Sequence, residues 1–247
     1  EAGSRSDLDI GIVNVSFGGT HVKVSSQSDG VIRPSASSGE EVTQRDVDQL
    51  VDDMYRAKIE PNFDVLHVLP MDFTVDNSTG VREPVGRTGI KLGGNFLVVS
   101  ANSQSVLRTK KSLAEADQAL KCDKLVLAPL ATSLAVLTDN EIKAGIAMVD
   151  IGDHTTDVVI YHDRIVRHIA SFPIGGRHIT SDLEVGCGIQ FENAEHLKKE
   201  YGVAVSADVP LNVEILINYL AGRQPKPVLK KNVALIIEER LKEIAAM

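Results

Sequence analysis

A chain of 247 residues with 43% hydrophobic and 24% charged side chains has the make-up of a folded globular protein, not of a disordered or collagen-like one. That length holds one large domain or two smaller ones with a real core. Its 26 lysines and arginines against 34 aspartates and glutamates leave a net charge of −8, which argues against a general nucleic-acid binder.

The chain opens Glu1-Ala2-Gly3-Ser4-Arg5-Ser6, without an initiator Met or a secretory pattern, and reads as a fragment of something longer. Ile10 to Val15 is an apolar run expected to form a strand, followed by a turn at Phe17-Gly18-Gly19-Thr20. Ser25 to Glu41 is rich in Ser, Gly, Asp and Pro and reads as a surface loop with at most one short strand, Gly30 to Arg33. Thr43 with Asp46 approaches a capping box, and Val47, Leu50, Val51, Met54 and Ala57 recur at helical spacing, so Gln44 to Lys58 is a predicted helix closed by Pro61. Asp64 to Leu69 is a predicted strand and Phe73 to Val75 a second short one. Asp76 to Gly89 is turn-rich. Ile90 to Leu92 and Asn95 to Val99 are two strands, or one strand irregular at Gly93-Gly94. Thr20 to Ser100 therefore reads as a small α+β module, strand-helix-strand-strand.

Gln104 to Leu120 follows as an amphipathic helix, Leu125 to Leu127 as a buried strand and Ala131 to Leu137 as a short apolar helix. No apolar run is long enough to span a bilayer; the best, Leu125 to Leu137, is broken by Pro129 and polar residues. Gly145 to Ile151 is an apolar strand with one acid near its end. Asp157 to Tyr161 and Ile165 to Phe172 form a hairpin-like pair. His178 to Glu184, Phe191 to Tyr201 and Asn232 to Ala246 are helices. Val203 to Pro210 is a loop, Val213 to Leu220 fits a strand or a helix, and Gln224-Pro225-Lys226-Pro227 is a breaker. Apolar strands of the parallel type alternating with helices in the second half make the class α/β.

Chemistry concentrates at Val149 to Asp157. A buried strand delivers Asp150, Gly152 permits a tight turn, Asp153, His154, Thr155 and Thr156 form the tip, and Asp157 starts the return strand. Backbone amides of a tight hairpin make an anion-binding concavity, threonine hydroxyls add donors, and Asp150 suits Mg²⁺ held through water. An ordinary β-hairpin of turn residues is the plainer alternative. Downstream, Gly175-Gly176 mark a strand-to-helix corner that a ligand can approach closely. Glu195 and Lys198, three apart on a helix, share one face and suit a ribose, or else form a solvated face. The seven histidines show no helix-face metal spacing. His67 and His168 read as packed or edge residues. Cys122 and Cys187 read as small core residues; two cysteines are too few for a disulfide framework and point to a reducing compartment.

The runs VDIGDHTTDVVIY, FPIGGRHITSDL and AEHLKKEYG resemble the actin-like ATPase superfamily and, within it, the FtsA family of bacterial cell-division proteins. Phe63 to Asp76, Gly80 to Leu92, Ala128 to Thr138 and Ile236 to Ile244 carry the narrower likeness. The resemblance implies an actin-like (ribonuclease H-like) core with an inserted SHS2-like subdomain. Residues 1–19 would end the first part of subdomain 1A, 20–100 would be subdomain 1C, 101–143 would return to 1A, and 144–247 would be 2A with partial 2B. It implies ATP and Mg²⁺ bound between subdomains, with Asp150 near the metal and Gly152, Asp153, His154, Thr155, Thr156 and Asp157 on the phosphate side. Gly175, Gly176, Glu195 and Lys198 would hold the ribose and phosphate side of the nucleotide.

It further implies self-association into filaments and contact with the C-terminal tail of the tubulin-like FtsZ on the 2B side. Other division proteins would bind at 1C, and no nucleic acid would bind. The protein would lie in the cytoplasm, peripheral on the inner face of the membrane at the division site, reaching the membrane through a C-terminal helix not in this sequence. The family's first phosphate loop and late adenosine loop are not in it either, so this chain alone is expected to hold nucleotide weakly or not at all. Asp153 and His154 replace two family glycines, and Ala128 stands where the family's water-orienting Glu precedes a proline. At most weak ATPase activity is expected, since a lost base removes roughly 10²–10⁴ in rate. The alternatives are a PilM-like pilus-assembly scaffold of the same superfamily and, less well supported, a sugar or acid kinase.

Overall fold

The computed structural model describes residues 11–32, 39–57, 60–116, 120–217 and 225–247. The chain divides into two compact units. One is Glu1–Asp150 with Asp157–Ser171, the other Ile151–Thr156 with Phe172–Met247.

In the first unit, β1 (Ile12–Phe17) runs parallel to β6 (Lys121–Leu127). Strands β2 (Val22–Ile32), β3 (Phe63–Val75), β4 (Ser78–Val81) and β5 (Lys91–Asn102) form an antiparallel sheet in the order β2-β5-β3-β4. Helix α1 (Gln44–Arg56) packs on it. The helix starts where the sequence predicts: the Asp46 amide donates to Thr43 Oγ1 at 3.3 Å, and the Thr43 amide donates to the Asp46 carboxylate at 2.8 Å. Its apolar stripe, Val47, Leu50 and Met54, is buried against Val68, Phe73, Phe96 and Val98.

Alternate residues of β5 face the other way. Leu97 and Val99 join Leu127, Leu130, Met148, Val159 and Ile169 in a second core. β5 is thus buried on both faces. Helices α2 (Ser103–Ala116), α3 (Ala128–Val136) and α4 (Asp139–Ala144) follow. A three-stranded sheet, β7 (Ile146–Ile151), β8 (Thr156–His162) and β9 (Ile165–Phe172), is arranged in sequence order.

In the second unit, α5 (Gly176–Cys187), α6 (Phe191–Tyr201) and α7 (Lys230–Ala245) enclose a core of Ile179, Leu183, Leu197, Val233 and Ile237. An antiparallel pair, β10 (Glu214–Ile217) and β11 (Lys226–Leu229), adds Ile215, Ile217 and Val228. No helix among the described residues is long and apolar enough to cross a membrane.

Several expectations change. Ser25 to Ile32 is not loop but most of β2, paired residue by residue with β5. The two predicted strands around Pro70 are one strand, β3, with register shifts at Val65/His67 and Pro70/Asp72. The turn-rich stretch contains β4. Gly93 and Gly94 interrupt nothing, so the later pair is one strand. α3 starts at Ala128, with Pro129 in its first turn, where proline's missing amide leaves no bond unmade. α4 was not anticipated. Val213 to Leu220 resolves to a strand through Ile217, and Lys226-Pro227 lies in β11 instead of breaking the chain. Among the described residues β1 and β6 form a parallel pair, in the first half of the chain. Ile10, Arg33 to Ser38, Lys58, Asp117 to Ala119 and Asn218 to Gln224, parts of predicted elements, lie outside the described residues.

Candidate functional site

Between β7 and β8 the chain makes the tight turn that the sequence announces. The Gly152 amide donates to the Thr155 carbonyl at 2.8 Å. The turn is then clamped from the strand-to-helix corner at the start of α5. The Gly176 amide donates to the Gly152 carbonyl at 2.9 Å, and the Arg177 amide to the Asp153 carbonyl at 2.8 Å. Thr156 is buried and its hydroxyl donates to the Ile174 carbonyl at 2.8 Å. Thr156 therefore joins the hairpin to the corner instead of presenting its hydroxyl to a ligand. Asp157 is buried at the start of β8.

Gly175 is where a side chain is forbidden. A Cβ there would lie 2.4 Å from the Gly152 carbonyl oxygen and 2.7 Å from that of Asp153. The amides of Gly175 and Gly176 are both engaged, to His178 Nδ1 and to Gly152. Gly175 acts by allowing close packing, whereas a Cβ on Gly176 would meet nothing nearer than 3.5 Å, and neither glycine has its amide free for a ligand.

The donors left over are at the tip. Among the described residues, the backbone amides of Asp153 and His154 donate no hydrogen bond. Their side chains pair with each other, His154 Nδ1 to Asp153 Oδ2 at 2.9 Å, both exposed. The carboxylate is thus held by a cation-capable partner and its repulsion of an anion is blunted. Two amides without acceptors on a rigidly clamped turn fit a phosphate oxygen.

Asp150 lies two residues before Gly152, in the first unit. Its Oδ2 accepts a hydrogen bond from Thr132 Oγ1 of α3 at 3.0 Å. That fixes the carboxylate and leaves oxygen lone pairs suited to a hydrated divalent cation. No cluster of three or more His, Cys, Asp or Glu side chains fit for a directly held metal occurs among the described residues.

Glu195 and Lys198 do share a face of α6, in contact at 2.6 Å. They also reach α5. Lys198 Nζ donates to Thr180 Oγ1 at 2.8 Å and to the Gly176 carbonyl at 3.1 Å, and Thr180 Oγ1 donates to Glu195 Oε2 at 2.5 Å. Burial alone would raise the Glu195 carboxyl. Hydrogen bonds from Lys198, Thr180 and Lys199 outweigh it and bring its pKa to about 2. Glu195 is a carboxylate at neutral pH, and the network lies directly against the corner.

Thr132, Thr180 and His178 were missed from sequence. Threonines one turn into an apolar helix give no pattern, and their partners are brought by tertiary packing. His178 carried one usable signal, its place three residues after the corner glycine, where a capping acceptor is usual. Elsewhere, His67 accepts from the Leu127 amide at 2.9 Å, and burial lowers its pKa, so it is a packed neutral residue as expected. Cys187 is buried, which pushes its thiol up, and Cys122 is half-buried.

With this geometry in place, comparison with known proteins gives two family matches. A model described as cell division protein FtsA matches residues 147–246, and one described as the SHS2 domain inserted in FtsA matches residues 19–100. Cell division protein FtsA of Neisseria meningitidis serogroup B is 32% identical over 244 residues, covering 99% of this chain and 58% of that protein. FtsA of Escherichia coli is 29% identical over 244 residues, covering 99% and 57%. The chain thus spans somewhat over half the length of these relatives. Among solved structures, a PilM–PilN type IV pilus biogenesis complex matches with a TM-score of 0.53 at 14% identity, covering 90% of this chain and 52% of that one. At that identity the match speaks for the actin-like fold alone.

Proposed function

The chain belongs to the FtsA cell-division family of actin-like proteins, and from that premise we propose that the full-length protein binds ATP with Mg²⁺ at the hairpin tip around Gly152 to Thr155. The observation that carries this reading is the pair of free amides at Asp153 and His154, on a turn clamped by three backbone hydrogen bonds. Preformed amide donors bind an anion without reorganising, and that is what a phosphate site requires. Asp150, oriented by Thr132, would hold the hydrated Mg²⁺. Bound Mg²⁺ would supply charge to offset the phosphates. Glu195 and Lys198 would take the ribose side, from a network that already touches Gly176.

In the same reading, nucleotide binding organises polymerisation into actin-like protofilaments. Subdomain 1C would be residues 20–100, flanked by 1A at residues 1–19 and 101–143, with 2A and part of 2B from residue 144. The helices of the late region, residues 178–202 and 232–246, would dock the C-terminal tail of tubulin-like FtsZ, and 1C would meet other division proteins. The whole protein would act at the inner face of the cytoplasmic membrane, tethering the FtsZ ring. A pilus scaffold is the weaker reading, because both family models that match are those of FtsA.

The test is calorimetric titration of ATP·Mg²⁺ into the full-length protein and its Gly175→Ala variant. The added methyl would overlap the Gly152 carbonyl, 2.4 Å away, and push the hairpin off the corner. Affinity is expected to fall by about tenfold or more, equivalent to about 1.4 kcal/mol. Unchanged affinity in a variant whose circular dichroism is native would overturn the site.

A further inference from the structure

We propose that His178 is a positioning residue and a pH-sensitive clasp: its neutral imidazole holds the Gly175 corner in the geometry that lets the hairpin receive a phosphate. The inference rests on the nucleotide reading above and names a regulation of that same site.

Four consecutive residues hold the hairpin. Ile174 accepts from the Thr156 hydroxyl, Gly176 and Arg177 donate to Gly152 and Asp153, and Gly175 lies against the carbonyls of both. Three of these contacts use backbone or hydroxyl groups that do not titrate. The exception is the anchoring of Gly175 itself, whose amide donates to His178 Nδ1 at 3.1 Å. That bond places the ring proton on Nε2.

The third residue of a helix ordinarily returns this bond with Glu or Gln. A Gln oxygen accepts at any pH and a Glu carboxylate accepts well into the acid range. An imidazole accepts only while neutral, because both ring nitrogens of the imidazolium carry protons. Protonation therefore sets an N–H against the Gly175 N–H. The ring must turn away, and Gly175 keeps only the bond from the His178 amide to its carbonyl, at 3.0 Å.

On α5, Arg177 is cationic and Asp182 is engaged with Arg240 of α7 at 2.6 Å. On α6, Glu195 is engaged with Lys198 and Lys199. On the hairpin, Asp153 is paired with His154. Among the described residues no carboxylate forms an ion pair with His178. His154 is a second imidazole, at the tip itself, where positive charge favours an anion. The two histidines act in opposite directions, so variants of His178 are needed to separate them.

The expected sign is loss of affinity as pH falls through the histidine range. A clasp that opens between pH 7.5 and pH 5.5 is read as a loss of about tenfold. Two measurements test it. In ¹⁵N-labelled protein the Gly175 amide resonance should titrate with the His178 ring. In His178→Gln, which keeps an acceptor at all pH values, it should stay flat. In the full-length protein, calorimetry with ATP·Mg²⁺ at the two pH values should show a loss in wild type that exceeds the loss in His178→Gln by about tenfold. A purely structural cap would leave that ratio at one. A Gly175 amide blind to His178 ionisation, or the same acid loss in wild type and His178→Gln, overturns the clasp. If neither protein binds ATP at any pH while Gly175 titrates as stated, the clasp is upheld and the nucleotide reading falls.

Discussion

Ala128 opens α3 beside Gly18: a Cβ on Gly18 would lie 3.1 Å from that of Ala128. The methyl has no oxygen with which to orient water, at the position where the family resemblance implies a glutamate. Full-length protein is therefore expected to turn ATP over well below ~1–10³ s⁻¹. Ala128→Glu should raise phosphate release by about tenfold or more, since a positioned base contributes roughly 10²–10⁴. The glutamate would start from a site whose facing residue has no side chain. No gain in a folded, ATP-binding variant would remove Ala128 as the reason for slow turnover. At this scale the sequence was legible where a residue type has few uses. An acid at the end of an apolar strand, a glycine in a turn, and a Glu/Lys pair on one helix face marked Asp150, Gly152, Glu195 and Lys198. It was opaque where the role depends on a distant neighbour. Thr132 matters only because α3 brings it to Asp150, and Thr180 only because α6 brings Lys198 to it.

Elements were legible when their own side chains decide them and obscure when a partner does. The α1 capping box and stripe and the span of α6 were plain from residue types at helical spacing. β2 was not. Ser25, Ser26, Gln27, Ser28 and Asp29 have low strand preference, but β5 pairs with every one of them and overrides it. Pro70 misled for a related reason. It sits at a register shift, beyond the reach of β4, which pairs only with Phe73 and Val75, so its missing amide deprives no neighbour on that side. The short α4 was readable in principle. Thr138 and Glu141 form a capping box, with the Thr138 amide 2.8 Å from the Glu141 carboxylate. Packing in the sheet gives a direct prediction. Phe96 is fully buried, edge-on to Phe73 at 6.2 Å between ring centres. Phe96→Ala should destabilise the first unit by about 3–5 kcal/mol in urea unfolding. A change below about 1 kcal/mol would mean that this core is not what holds α1 to the sheet.

The first unit as a whole turns on β5. The region matched by the SHS2 model ends at residue 100, within this strand. Its Phe96 and Val98 belong to the core under α1, while Leu97 and Val99 belong to the core with Leu127, Met148 and Val159. Arg82, at the end of β4, also reaches Asp163 in the turn between β8 and β9, whose carboxyl that hydrogen bond holds below the usual range. The inserted module therefore shares a wall with its host. A shared wall has a consequence for how the unit opens. If the module were an appendage, its amides would exchange with solvent through a local opening cheaper than that of its host. With β5 common to both cores, neither can open while the other stays packed, and the two form one cooperative unit. Native-state hydrogen exchange in rising denaturant should bring the amides of Leu97 to Val99, Leu127 and Val159 onto a single isotherm at the global unfolding free energy. A separate, lower isotherm for β5 would show that an insertion in sequence had remained an insertion in stability.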